Sequence, residues 1–290
     1  MTQPARREPW TIGAVAKWAT DDFRARGIEN PRLDAEVLLA WSLGITRTQL
    51  IVESMRELAP DELSKFRELV KRRRAHEPVA YLRGTREFYG RPFRVDPRVL
   101  IPRPDTETLV EVALDRTRHA SMATRALDLC TGSGCVAISI ARERPTACVY
   151  ATDASEDAID VAKDNAQRLG AYNVAFACGD LFCGIARRFD VITANPPYIP
   201  SAEIPTLSPD IREHEPRLAL DGGSDGLEIV RRIVSEAHNW LVPGGALAME
   251  IAQGQADAVC ELFERAGFHD VRRALDYAKI ERVVHAVLAS

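Results

Sequence analysis

Apolar residues recur at helical spacing over the first 80 or so positions. The stretch TIGAVAKWATDDF sets Ile12, Val15, Trp18 and Ala19 on one face behind a Thr11 cap, and DAEVLLAWSLG repeats the pattern and stops at Gly44. PDELSKFRELVKRRRAHEP carries Leu63, Phe66, Leu69 and Val70 at the same spacing and ends before Pro78. These segments predict a small helical bundle. From Tyr81 to Pro104 the texture changes to short aromatic and β-branched pieces, REFYG and FRVDPRVL, broken by Gly90, Pro92 and Pro97, which reads as a hairpin connector. Beyond it strands alternate with helices: RALDLC, a helix from Cys135, VYATD, SEDAIDVAKDNAQRLG, VAFACGD, FDVITA, a helix over 226–241, ALAMEI, QADAVCELFERAG, DVRRALD and RVVHAVLA. Alternation of this kind predicts an α/β domain with a mainly parallel sheet between helices. Only a few residues join the last two strands, so the last must run antiparallel.

Composition fits a globular protein of one large or two unequal domains: 290 residues, 46% hydrophobic and 28% charged. No apolar run reaches membrane-spanning length, and the N-terminal MTQPARREPW lacks the apolar core of a secretory signal, so a cytoplasmic protein without membrane association is expected. Cys130/Cys135 and Cys178/Cys183 each enclose four residues, but no CxxC or neighbouring His completes a metal set. No metal is expected; the cysteines read as reduced core residues, and the six histidines as surface or packing residues. Residues 1–85 carry 15 Lys and Arg against 12 Asp and Glu, a net +3, and the remainder 23 against 30, a net −7. Such a balance argues against a general polyanion binder. The run Lys71 to Arg74 is expected on a solvated helix face.

The chemistry concentrates at strand ends. In DLCTGSGC, Gly132 and Gly134 lie between a strand and a helix, where doubly wound sheets receive nucleotide-like ligands. Asp153 follows the second strand, positioned to accept from ribose hydroxyls, and Asp180 the third, positioned to accept from an adenine amino group. A dinucleotide fingerprint would need a third glycine that CTGSGC lacks, which disfavours an NAD enzyme. After the fourth strand the chain reads Asn195-Pro196-Pro197-Tyr198. Two prolines bring carbonyl acceptors and no N–H, and Pro196 restricts the backbone at Asn195, so the turn suits a ligand NH2 group.

The succession of DLCTGSGC, Asp153, GD at 179–180 and NPPY resembles the class I S-adenosylmethionine (SAM) methyltransferases that modify exocyclic or amide nitrogens. EPVAYLRGTREFYGRPFRVDPRVLIPRPDTETLVE, EHEPRLALDGGSDGLE and PGGALAMEI narrow the resemblance to the release-factor glutamine N5-methyltransferase family (PrmC/HemK), from about Pro78 to the C-terminus. One departure is Cys130, where the family pattern has glycine.

The resemblance implies a seven-stranded Rossmann-like methyltransferase domain at 105–290, a helical bundle at 1–85 that docks the substrate, and a β-hairpin linker at 86–104. It implies methyl transfer from SAM, leaving S-adenosylhomocysteine, to the glutamine amide of the Gly-Gly-Gln loop of a peptide chain release factor, by a monomer with no direct nucleic-acid contact. Cofactor binding would fall to Cys130, Thr131, Gly132, Ser133, Gly134, Asp153, Asp180, Leu181 and Asn195. Asn195, Pro196 and Tyr198 would be catalytic, with Pro197, Arg103 and Glu107 joining them against the substrate. In the residue-level reading, Arg103 and Glu107 form a helix-start ion pair or line the entrance, and Glu250 caps a strand. Three alternatives stay open: a DNA adenine N6-methyltransferase, a ribosomal-protein glutamine methyltransferase, and a non-catalytic SAM-binding adaptor of the translation machinery. The net −7 of the catalytic half weighs against DNA.

Overall fold

The computed structural model describes residues 10–118 and 124–289, arranged as two compact units. Residues 1–9, read above as free of a secretory core, lie outside that description. The first unit comprises the chain up to Gly84 together with Pro209–His214. Its helices are α1 (Ile12–Ala25), α2 (Pro31–Leu43), α3 (Arg47–Val52), α4 (Pro60–Arg74) and α5 (Val79–Arg83). Thr11 caps α1 by accepting from the Ala14 amide, and Gly44 closes α2 in the left-handed conformation. Phe23, Leu38, Leu39 and Phe66 fill the core. Trp18 is not part of it: the ring lies at the surface edge-on to Trp10, with the Arg74 guanidinium 5.5 Å from its centre.

The basic run on α4 departs from the expected solvated face. Arg73 is only 4% exposed and pairs with Asp34 at 2.8 Å and Asp210 at 2.7 Å. Arg74 forms a two-pronged pair with Asp22, and Arg72 pairs with Glu77. A buried guanidinium needs paired carboxylates, and two come from elements distant in sequence.

The second unit begins with the hairpin β1 (Thr85–Phe88) and β2 (Arg91–Arg94), followed by α6 (Glu107–Arg116). Phe88 and Phe93 are buried in this unit's core, so the hairpin packs as part of it. Next come β3 (Arg125–Leu129), α7 (Cys135–Glu143), β4 (Cys148–Asp153), α8 (Glu156–Leu169), β5 (Val174–Cys178), β6 (Phe189–Ala194), β7 (Leu241–Glu250), β8 (Phe268–Leu275) and β9 (Glu281–Leu288). Helices Glu228–Glu236 and Ala256–Arg265 flank β7 in sequence. The seven strands lie in the order β5-β4-β3-β6-β7-β9-β8, and only β9 opposes its neighbours' direction in pairing with both β7 and β8.

Alternation along the central strands builds the core. Ala126, Val191 and Ala246 join the cluster under α6, α7 and the hairpin, whereas their neighbours Leu127, Ile192 and Leu247 join the cluster under the two later helices. Cysteine burial departs from expectation: Cys135 is buried, but Cys148, Cys178 and Cys183 are exposed. For Cys178 the reason is topological, since β5 is an edge strand. No helix among the described residues is long and apolar enough to cross a membrane.

Candidate active site

Strand order reverses between β3 and β6, and the ends of β3, β4, β5 and β6 converge there, the position at which open parallel sheets receive ligands. A cavity of about 300 Å³ occupies it. Cys130, Thr131, Gly132, Ser133, Asp153, Asp180, Leu181, Asn195 and Pro197 all line it, as does Arg103. Five sequence segments expected to act together therefore share one wall.

The turn after β3 is built around two carboxylates. Asp128 is buried and accepts from Thr131 Oγ1 at 2.6 Å and Thr193 Oγ1 at 2.8 Å, tying the turn to β6. Burial pushes its pKa up to about 6. Asp153 accepts from the Gly132 amide at 2.8 Å and the Ser155 amide at 3.0 Å. Burial raises its pKa, while these amides pull it down. Each of its oxygens keeps a lone pair for a ligand hydroxyl. Gly134 answers a different need from its neighbours and does not appear on the cavity wall: a Cβ there would sit 2.8 Å from Ile138 Cδ1 and 3.1 Å from Ala162 Cβ, so glycine lets α7 start against α8. Cys130 has φ of +55°, within the left-handed region that glycine favours.

The cavity suits an adenosine group in its donor set. Asp153 and Asp180 offer acceptors at adjacent strand ends, and Val99, Leu181 and Ile229 offer apolar surface for a flat ring. Asp180 is exposed and already paired with Arg232 at 2.7 Å, so one oxygen is engaged.

The NPPY turn divides its residues between the cavity and the protein beneath. Asn195 and Pro197 line the cavity, and Pro196 is buried. Tyr198 is absent from that wall: its hydroxyl donates to Glu250 Oε1 at 3.2 Å, and its carbonyl accepts from Gln255 Nε2 at 3.0 Å. The motif LALDGGSDGLE acts as a buttress. Ile199 N–H donates to the Leu220 carbonyl at 3.0 Å, and Gly222 N–H returns a bond to the Ile199 carbonyl at 2.9 Å. A Cβ on Gly222 would lie 2.7 Å from the Pro197 carbonyl oxygen, so this close backbone approach requires glycine.

Arg103 and Glu107 do not pair with each other. Arg103 Nη2 meets Glu215 Oε1 at 2.6 Å at the cavity edge. Glu107 is not on the cavity wall; its Oε1 accepts from the Tyr89 amide at 2.8 Å, which holds the turn between β1 and β2. In this structure Glu107 braces the hairpin turn.

Two supporting residues, Asn165 and Thr106, escaped the sequence reading, and a third, Glu250, was read only as a strand cap. Asn165, fully buried on α8, accepts from the Arg94 amide and donates to the Arg94 and Ser133 carbonyls. Its signal was an amide at helical spacing from Ala158, Val161 and Ala162 on an apolar face. Thr106 accepts from Asn195 Nδ2 at 3.4 Å, within the quoted IPRPDTE. Glu250 is 2% exposed, a carboxylate at the end of an otherwise apolar strand.

The chain is similar to known proteins along nearly its whole length. Residues 14–84 match the family described as PrmC N-terminal domain, and residues 105–207 the methyltransferase small domain. The chain is 47% identical over 278 residues, 96% of each chain, to the release factor glutamine methyltransferase of Geobacter sulfurreducens. It is 43% identical over 290 residues, 98% of each chain, to that of Bradyrhizobium diazoefficiens. A solved methyltransferase from Pyrococcus furiosus shares the fold, with a TM-score of 0.52 at 19% identity over 70% of this chain and 91% of that one.

Proposed function

This chain belongs to the release factor glutamine methyltransferase family, and from that premise we propose how its site performs the reaction. The protein is an enzyme that methylates a release-factor glutamine with SAM as donor; near-full-length kinship with such enzymes leaves the DNA-adenine, ribosomal-protein and adaptor readings without support. The acceptor in this reading is the side-chain nitrogen of the glutamine in the Gly-Gly-Gln loop, and the protein acts as a monomer in the cytoplasm without touching nucleic acid.

When bound, SAM supplies an electrophilic methyl on a sulfonium sulfur. Asp153, Asp180 and the 130–134 turn hold its adenosine end at the strand termini. An amide nitrogen is a poor nucleophile because its lone pair is delocalised into the carbonyl, so positioning carries the catalysis. Asn195 Oδ1 and the Pro196 carbonyl accept the two N–H bonds of the glutamine and hold its nitrogen toward the methyl. SAM held there would supply its methyl to that nitrogen with the C–S electron pair kept on sulfur, and the nitrogen would release one N–H proton to water. Fixing two reactants in this way lowers the barrier by roughly 7 kcal/mol or more in well-oriented systems. Pro197 packs on the amide, Arg103 lines the entrance, and Tyr198 braces the turn through Glu250. The helical unit at 1–85 docks the release factor.

One observation carries this reading: the cavity lined by Asp153 and Asp180 is also lined by Asn195, whose Nδ2 is engaged by Thr106, leaving Oδ1 as its acceptor. Asn195→Ala is expected to cut kcat by about 10²–10³-fold with SAM affinity nearly unchanged, measured as single-turnover methyl transfer and calorimetric titration on one preparation. Normal turnover would reduce NPPY to a stiff turn; an equal loss of SAM binding would make Asn195 a cofactor residue.

A further inference from the structure

The two acidic strand ends of the cavity are held differently. Asp153 is anchored by the Gly132 and Ser155 amides. Asp180 follows the edge strand β5, and its side chain is 63% exposed. An exposed carboxylate samples several rotamers, and only some of them face a bound base. Arg232 selects among them: its Nη2 donates to Asp180 Oδ2 at 2.7 Å. The helix Glu228–Glu236 that carries Arg232 is fixed by Val230, Ile233 and Val234, all buried in the core. Ile229 and Arg232 share a face of that helix at i, i+3 spacing, and both line the cavity with Asp180, Leu181 and Cys130.

An ion pair this open to water, with the Arg232 side chain 45% exposed, adds little to folding stability. What it supplies is direction. A guanidinium has donors and no acceptor, so it takes an accepting atom of residue 180 and leaves the other atom of that carboxyl to the cavity. With aspartate the atom left is Oδ1, which accepts from an NH2 group and repels a carbonyl oxygen.

We propose that Arg232 is a positioning residue that sets the base selectivity of the cofactor site: by holding Asp180 Oδ2 it keeps Oδ1 toward the base, so that the site takes a 6-amino purine and rejects a 6-oxo purine. The inference rests on the reading of Asp180 as the acceptor for the adenine amino group. Asparagine at 180 separates the two roles, because its amide has one accepting and one donating atom. In Asp180→Asn, Arg232 takes the amide oxygen and the NH2 is turned to the cavity. There it meets a 6-oxo group as donor to acceptor and a 6-amino group as donor to donor, so the preference for the base inverts. Once Arg232 is removed as well, the amide turns either way and the inversion disappears.

The test is calorimetric titration of the full-length protein with S-adenosylhomocysteine and with S-inosylhomocysteine, which carries a carbonyl oxygen in place of the 6-amino group. Wild type, Arg232→Met, Asp180→Ala, Asp180→Asn and the double variant Asp180→Asn/Arg232→Met are compared, with urea unfolding on each preparation. Wild type is expected to favour the adenosyl ligand by about 10–100-fold, the scale of one hydrogen bond to a charged group. Arg232→Met, which keeps the apolar stem and loses the donors, should cut that preference by about tenfold with its unfolding midpoint unchanged. Asp180→Asn should favour the inosyl ligand, and the double variant should bind the two alike. Wild-type selectivity in Arg232→Met, an Asp180→Asn that still favours the adenosyl ligand, or an inversion that survives in the double variant overturns the proposal. Wild-type selectivity in Asp180→Ala removes the adenine role of Asp180 itself, whereas lost selectivity in Asp180→Ala beside full selectivity in Arg232→Met removes only the part played by Arg232.

Discussion

At Asp153 one carboxylate serves two structures. It anchors the 130–134 turn through the Gly132 amide and holds the start of α8 through Ser155, while its remaining lone pairs face the cavity. Asp153→Ala is expected to weaken SAM binding by roughly 1.5–3 kcal/mol, the scale of hydrogen bonds to a charged group; unchanged affinity by calorimetric titration would mean that the adenosine end lies elsewhere. Cys130 is strained by its backbone. A left-handed residue with a side chain costs about 1–2 kcal/mol, and branching at Cβ adds to the crowding. Cys130→Val should therefore be less stable than Cys130→Gly by about 1–2 kcal/mol in urea unfolding, and equal stability of the two would show that the turn relaxes freely. The same φ explains why the family pattern has glycine at this position.

Among the elements, α8 does more than cover the sheet. Its buried Asn165 joins three things remote in sequence: the amide and carbonyl of Arg94 at the end of β2, and the Ser133 carbonyl in the cofactor turn. Replacement by alanine strands a buried amide and two carbonyls, each costing about 1–3 kcal/mol when unpaired. Asn165→Ala is expected to lower unfolding free energy by about 2–4 kcal/mol, less than the full sum because water can enter. Loss of SAM affinity should accompany it. A denaturant midpoint equal to wild type would mean that the hairpin and the turn hold themselves. The hairpin, a separate linker by sequence, joins the sheet's core through Phe88 and Phe93 and is braced by Glu107.

In the whole molecule, each unit has a core of its own. A chain lacking residues 1–85 is expected to fold and bind SAM, while methylation of intact release factor falls far more than SAM affinity does. Wild-type transfer by the truncated chain, assayed with labelled SAM, would remove the docking role of the helical unit. Residues Pro209–His214 add a feature to that experiment. They belong to the helical unit although they lie beyond NPPY in sequence, with Asp210 against Arg73 and His76, and His214 against the Ala75 carbonyl. Truncation therefore also removes those partners.

Local order was legible because it depends on near neighbours. Helix starts at Thr11 and Ser155, the stop at Gly44 and the alternation of strands with helices follow from caps, glycines and hydrophobic period, and these act within a few residues. Strand ends bearing glycine, acid, acid and NPPY were equally legible, since a parallel sheet brings successive carboxyl ends to one edge. Fine placement was not. The separation of Arg103 from Glu107, the burial of Arg73 between Asp34 and Asp210, the turning of Tyr198 to Glu250 and the three-way bridge of Asn165 all join residues far apart in the chain. The physical reason is that a buried polar group takes whichever partner the packed core brings within reach. One-dimensional spacing carries no record of that choice, and only the tertiary structure made it.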